Sequence, residues 1–133
     1  MSKLSIRRAL NPFLSLFDWF FRPRPVVRTE QESRKLAKAT SAMALYDYKG
    51  CSASRKARRE IYRLSLEIER RDIGKCMIHQ DNLLAEYGKL KAPCLRVEEK
   101  GVVIWLDEPE AIVHFLNERF DTTSEDLHKL KSA

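Results

Sequence analysis

Apolar and polar positions alternate along the chain in short segments, some at the spacing of a strand and others at that of a helix. Met43 and Leu45, followed less regularly by Tyr46 and Tyr48, predict a strand that ends at Gly50. The pattern therefore becomes regular with a strand that closes in a turn.

A helix and a second strand are predicted next. The helix begins near Ser52, and its arginines lie on the side opposite three apolar positions, Ala57, Ile61 and Leu64. Residues 66–72, "LEIERRD", alternate apolar and charged side chains, which predicts a strand. A strand, a helix and a strand this close together imply a parallel, right-handed crossover.

Four further elements complete the pattern. Residues 75–87 predict a second, less regular helix. The segment "APCLRVEEKGVVIWL" predicts two strands joined by a tight hairpin at Glu99-Lys100-Gly101. The segment "EPEAIVHFLNERF" predicts a last helix with five inward positions: Ile112, Val113, Phe115, Leu116 and Phe120. The predicted order is β-α-β-α-β-β-α, an α/β arrangement.

Charge is distributed unevenly between the start of the chain and the rest. Residues 1–40 contain nine basic and three acidic side chains, and this difference of six equals the whole net charge of +6. The remaining residues contain sixteen of each sign and are neutral. A nucleic-acid role would have to depend on this leader, which has no recognisable binding motif, so we expect no nucleic-acid partner.

The leader has a pattern of its own, in which apolar and aromatic side chains lie between arginines. Asn11 is suited to cap a helix that begins at Pro12, but the apolar run is too short to span a bilayer. Two interpretations stay open: residues 7–24 lie on an anionic membrane surface, or this helix packs on its own domain or another subunit. Residues 22–35 are predicted to be a linker, because their prolines cannot lie inside a helix.

These patterns divide the chain into three parts. They are a basic, aromatic-rich leader and linker (1–41), a folded domain (42–120) and a polar C-terminal tail (121–133). No cleavable secretory signal is evident, so we expect a cytoplasmic protein with reduced thiols. The leader leaves peripheral attachment at the inner membrane face open.

Cys51 is the strongest candidate for chemistry. The three cysteines are irregularly spaced and fit neither a disulfide framework nor a zinc site, so we expect no bound metal. Cys51 lies where the first predicted helix begins, and the positive end of the helix dipole favours its thiolate. The alternative is a small buried residue at a turn. Cys94 follows a proline and is most simply a core residue, with a resolving thiol as the lesser option.

Three segments, "LYDYKGCSAS", "APCLRVEE" and "WLDEPEAIVHFLNERF", occur in an order and at a spacing that resemble the thioredoxin fold. The closer resemblance, over about residues 43–120, is to bacterial glutaredoxin-like proteins, which are similar to the first domain of glutathione transferases. It implies a four-stranded mixed sheet and a thiol–disulfide oxidoreductase with glutathione as co-substrate. The family's C-x-x-C motif is Cys51-Ser52-Ala53-Ser54 here, so a single thiol would exchange with glutathione.

The resemblance also implies where glutathione binds. The matching residues, which include the family's cis-proline and the residue before it, are Lys49, Ser54, Ala92, Pro93, Asp107 and Glu108. Where the family often has Glu-Ser at the last helix, this chain has Glu108-Pro109, and proline offers neither donor for the glutathione carboxylate. Glu110 adds negative charge there. We therefore expect weak or altered glutathione binding.

Three hypotheses about function follow. The first is a one-cysteine, glutathione-linked oxidoreductase that acts on glutathionylated thiols. The second keeps the fold without the activity and gives a catalytically inactive interaction or membrane-tethered module with a protein partner. The third is a dimer that binds an iron–sulfur cluster through Cys51 and glutathione. It ranks last, because Ser52-Ala53 replaces the Gly-Phe of the one-cysteine glutaredoxins that do so.

Overall fold

The computed structural model describes residues 24–121, which form one four-stranded sheet and four helices. In chain order the elements are α1 (Glu30–Thr40), β1 (Met43–Asp47), α2 (Ser52–Arg63), β2 (Glu69–Asp72), α3 (Met77–Tyr87), β3 (Cys94–Glu99), β4 (Val102–Leu106) and α4 (Pro109–Phe120). The strand order across the sheet is β2-β1-β3-β4.

The sheet is mixed, as the resemblance implied. Strand β1 pairs in parallel with β2 and antiparallel with β3, and β3 pairs antiparallel with β4. The parallel pair is connected by α2, which confirms the predicted crossover. This strand order and direction are those of the thioredoxin fold.

Alternating residues of the central strands form two apolar layers, one on each face of the sheet. Leu45, Leu95 and Val97 belong to the layer that α2 and α4 cover, and Leu116 packs there from α4. The opposite layer contains fully buried residues of β1, α3 and β3, which are Tyr46, Leu83 and Cys94. The sheet is therefore covered on both faces, and its strand ends are available for a site.

Two turns have the backbone that the sequence predicted. The hairpin between β3 and β4 leaves Lys100 and Gly101 between the strands, both with positive φ (50° and 77°), as a two-residue hairpin requires. Gly50, which follows β1, has φ +88°. A residue with a Cβ would be strained there, and the turn that leads to Cys51 depends on this glycine.

The prediction of a linker over residues 22–35 is wrong for its last six residues, because α1 begins at Glu30. Thr29 caps this helix: its side chain accepts from the N–H of Glu32, and the Glu32 carboxylate accepts from the N–H of Thr29. The prolines all precede residue 26, so the argument against a helix applies only before that point. Thr40 is buried and donates to the carbonyl of Glu67 at 2.8 Å, which attaches α1 to the domain.

The second strand is shorter than predicted. The ladder begins where Ala44 pairs with Glu69, so β2 starts three residues after Leu66. Leu66 and Ile68 still pack against the core, but they do so from the connection that follows α2. Ser65, with φ +54°, turns the chain there. Leu66 and Ile68 are apolar because they pack on the core, and so they alternate with polar residues as in a strand although the β1–β2 ladder begins only at Glu69.

Two predictions fall on residues that the structure does not describe. The leader helix that starts at Asn11 lies outside the described residues, as does the tail from residue 122 onwards. Asp121, the last described residue, accepts from Arg63 at 2.9 Å. Within residues 24–121, no helix has the length and apolar character needed to cross a bilayer.

Candidate functional site

Cys51 is the N-cap residue of α2. Its backbone is extended (φ −69°, ψ 108°), and its N–H donates to the carbonyl oxygen of Tyr48 at 3.1 Å, which closes the turn after β1. No side chain caps the helix. The N–H groups of the first turn are therefore directed toward the cysteine sulfur, in the arrangement that stabilises an anion.

Polar groups around Sγ favour the thiolate of Cys51. Only 5% of the residue is exposed, and this burial alone would raise the pKa of its thiol. The side chain and N–H of Ser54, the hydroxyl of Tyr48 and the N–H of Ala53 act in the opposite direction and outweigh burial, so the pKa of Cys51 is lowered. The same interaction raises the pKa of Tyr48, because its hydroxyl is held as a donor beside the sulfur.

The Ser54 side chain lies beside the Cys51 sulfur. It is fully buried, and its hydroxyl has no hydrogen-bond partner among the described residues. A buried hydroxyl without a partner costs free energy. Ionisation of Cys51 supplies an acceptor for this hydroxyl, so the local structure is better satisfied with the thiolate than with the thiol.

The entry of β3 lies on the other side of the sulfur. The peptide bond between Ala92 and Pro93 is cis, which agrees with the expectation for this proline. The Sγ atom of Cys51 lies 3.9 Å from the carbonyl oxygen of Ala92. Ala92 is half-buried and Pro93 is buried. The structure thus brings together Cys51, Ser54, Ala92 and Pro93.

The two acidic residues before α4 are already paired with a lysine. Lys91 Nζ lies 3.0 Å from a carboxylate oxygen of Glu108 and 3.3 Å from one of Asp107. Tyr87 donates to Asp107 at 2.6 Å, and this hydrogen bond, with Lys91, lowers the pKa of Asp107. The same bond raises the pKa of Tyr87 to about 12. A ligand amino group would have to displace Lys91 from these carboxylates.

Pro109 occupies the first position of α4, where a missing N–H costs nothing to the helix. Glu110, which we expected to oppose a ligand carboxylate, is paired with Lys56 at 2.9 Å, and that pair lowers the pKa of Glu110. The negative charge expected at this position is therefore balanced. Lys49 is exposed in the turn before Cys51.

Cys94 differs from Cys51 in the direction in which its surroundings shift the pKa of its thiol. It is fully buried at the start of β3, and burial raises the pKa of its thiol to about 12. It is a core residue, and all three cysteines are free. Over residues 24–121, no group of three or more His, Cys, Asp or Glu side chains is arranged to hold a metal ion.

Three residues of the site were missed from the sequence: Tyr48, Lys91 and Arg58. Tyr48 was assigned to the strand, although its position two residues before Gly50 placed it in the turn. Lys91 is paired with Asp107, 16 positions away, and Arg58 with Asp47, 11 positions away. No pattern of neighbouring residues indicates either pair. One feature of the sequence does indicate a buried ion pair: the charged Asp47 lies at the end of an apolar strand.

Comparisons with known proteins give likenesses of fold. No protein family model matches the chain, and no curated protein matches it. Maleylacetoacetate isomerase from Anaeromyxobacter dehalogenans 2CP-1, solved with bound GSH in its active site, is 25% identical over 62% of this chain and 39% of that chain, with a TM-score of 0.48. This chain therefore spans about two fifths of the length of the isomerase.

Two thioredoxin-like structures match as well. A protein described as thioredoxin-like is 18% identical over 57% of this chain and 95% of that chain, with a TM-score of 0.47. Oxidised thioredoxin from Plasmodium falciparum is 9% identical over 74% of this chain and 98% of that chain, with a TM-score of 0.41. The likeness to these proteins is one of fold alone.

Proposed function

We propose that this chain is a one-cysteine, glutathione-linked thiol–disulfide oxidoreductase that removes glutathione from mixed disulfides. The observation that carries the proposal is the position of Cys51 Sγ, between the N-terminus of α2 and the Ala92 carbonyl, 3.9 Å away. The lowered pKa of Cys51 supports the same assignment, because the thiolate is the nucleophile in disulfide exchange.

The reaction needs one protein thiol. The Cys51 thiolate attacks the glutathione sulfur of a mixed disulfide, a bond forms between these two sulfurs, and the substrate leaves as a thiolate that takes up a proton. A second glutathione thiolate then attacks the Cys51–glutathione disulfide. Cys51 is released as thiolate and glutathione disulfide is the product, so the substrate sulfur is reduced to a thiol and one free glutathione is oxidised.

Glutathione would lie along the backbone of Ala92 with its sulfur at Cys51. Lys49 would bind its glycine carboxylate, and Asp107 or Glu108 its amino group, as the resemblance implies. The pairing of both carboxylates with Lys91 argues for weak binding, since the ligand has to replace an ion pair that already exists. Pro109 offers no N–H to the second carboxylate and weakens binding further.

Intact-mass spectrometry after incubation with glutathione disulfide tests the proposal. We expect one added glutathione on the wild-type chain and on Cys76→Ser, and none on Cys51→Ser. Cys76 is a matched control, because it is also the N-cap residue of a helix, α3. An unmodified wild-type chain, or an adduct that persists in Cys51→Ser, would contradict the proposal.

A second candidate is a thioredoxin-fold interaction module without catalysis. If the leader attached to a membrane, the module would lie at the inner membrane face. The 5% exposure of Cys51 favours it, because a nearly buried sulfur is hard for a disulfide to reach. Turnover of a small mixed-disulfide substrate distinguishes the two: the module predicts no turnover. Pelleting with anionic vesicles, compared between the full chain and one that starts at Arg24, tests the attachment.

A further inference from the structure

Arg58 connects the two ends of the turn that carries Cys51. Its Nη1 donates to a carboxylate oxygen of Asp47, the last residue of β1, at 2.8 Å. Its Nη2 donates to the backbone carbonyl of Cys51 at 3.3 Å. Only Tyr48, Lys49 and Gly50 lie between the two residues that this guanidinium holds. The planar guanidinium can make both bonds because its donors point in fixed directions.

The carboxylate of Asp47 makes this connection firm. Its side chain is fully buried, and Arg70 of β2 donates to its other oxygen at 2.7 Å. A buried carboxylate without such partners would be costly, so both arginines are held in place by it. The main chain of Asp47 is also fixed, because its carbonyl accepts from the N–H of Ile73 at 2.8 Å. One end of the turn is therefore anchored in the sheet.

We propose that Arg58 is a positioning residue for Cys51. It joins the buried Asp47 carboxylate to the backbone carbonyl of Cys51 and so fixes the turn between these two residues. The fixed turn holds the Tyr48 hydroxyl toward the sulfur and keeps Sγ at the end of α2. The inference rests on the proposed function for its biological meaning. Its test, however, measures ionisation of the thiol and requires no glutathione.

The charges around Cys51 determine how the test is interpreted. The charged network that anchors the turn consists of Asp47 of β1, Arg58 of α2 and Arg70 of β2. The turn itself carries the ionisable Tyr48 and the exposed Lys49. Across from them, the β3 side presents the Ala92 carbonyl, which does not titrate. On the α4 side, Lys56 and Glu110 form a pair of zero net charge. Loss of Arg58 or of Arg70 therefore changes the charge beside Asp47 by the same amount.

The experiment measures the rate of iodoacetamide alkylation at Cys51 against pH in the full-length chain, by mass spectrometry of the cysteine-containing peptide. Arg58→Gln should raise the apparent pKa of Cys51 and slow alkylation near neutral pH by about tenfold, the equivalent of one pKa unit. Arg58→Lys keeps the charge beside Asp47 but not the two-armed bond. It should stay folded and show most of the same loss.

Arg70→Gln is the matched control, because it removes a bond to the same carboxylate without touching the Cys51 turn. It should lower the free energy of unfolding about as much as Arg58→Gln, with an alkylation profile close to that of the wild type. Equal shifts of the profile in the two glutamine variants would show that only charge at Asp47 matters and would overturn the proposal. A wild-type profile in folded Arg58→Lys would overturn it as well. A wild-type chain that is alkylated but forms no glutathione adduct would count against the proposed function alone.

Discussion

The carbonyl oxygen of Ala92 lies 3.9 Å from Sγ of Cys51, although the residues are 41 positions apart in the chain. This distance joins the entry of β3 to the start of α2, and both elements present backbone groups beside the Cys51 sulfur. The consequences for reactivity, stability and ligand binding can each be tested separately.

Ser54→Ala should separate reactivity from stability. Removal of the buried hydroxyl takes a donor from the Cys51 thiolate, so the pKa of Cys51 should rise and iodoacetamide alkylation near neutral pH should slow by about three- to tenfold. At a pH low enough to keep Cys51 protonated, the free energy of unfolding should not fall, because the lost hydroxyl had no partner.

Ser52→Ala is the control for that variant. Ser52 is the first residue of α2 and is exposed, so its loss should leave the alkylation rate of Cys51 near that of the wild type. Equal rates in wild type and Ser54→Ala, measured under the same conditions, would show that the hydroxyl does not stabilise the thiolate.

The sequence predicted the elements whose ends carry strong local signals. The turn at Gly50, the start of α2, the hairpin at Lys100 and the start of α4 at Pro109 each follow from a residue whose backbone preference is decisive. Helix α1 was missed because its capping box, Thr29 with Glu32, lies just after a proline-rich stretch that dominated the interpretation. The early start predicted for β2 had a similar origin, in apolar residues buried outside the ladder.

The site was only partly predictable, for a different reason. The position of Cys51 at a helix N-terminus is a local property and could be inferred from spacing. The connection of Asp47 to Arg58 and Arg70, and the pairing of Lys91 with Asp107, depend on which elements meet in the fold. The sequence alone does not show which charged residues pair with one another. These pairs determine the charges that a ligand would meet.

The lowered pKa of Cys51 has a consequence for stability. Between the folded pKa and the unfolded value of about 8.5, the unfolded chain binds more protons at this residue than the folded chain does. The stabilisation from Cys51 ionisation is therefore present above the unfolded pKa and is lost as pH falls through the folded pKa. Urea unfolding under reducing conditions should show wild type gaining stability over Cys51→Ser as pH rises through this window. A constant difference between the two chains would contradict the lowered pKa.

Lys91→Met tests whether the acidic pair before α4 binds a ligand amino group. The substitution frees Asp107 and Glu108, and the pKa of Asp107 should rise toward its ordinary value, though Tyr87 still donates to it. If these carboxylates bind the amino group of glutathione, glutathione affinity measured by calorimetry should increase by about two- to fivefold, the scale of an exposed ion pair.

Lys89→Met is the matched control, with the same change of charge at a lysine that attracts Asp107 only weakly and forms no hydrogen bond with it. Its affinity for glutathione should stay near that of the wild type. An equal increase in both variants would assign the effect to net charge, and a decrease in Lys91→Met would mean that Lys91 itself binds the ligand.

The ionisation of Cys51 in the intact chain is the measurement on which the account depends most directly. Alkylation by iodoacetamide should follow a titration whose midpoint lies clearly below about 8.5, the value of a free thiol. Cys51 should be labelled at a pH where the buried Cys94 stays protonated and unreactive. A midpoint at or above the free value, or a Cys51 that is labelled only after unfolding, would contradict the assignment of this sulfur as the nucleophile.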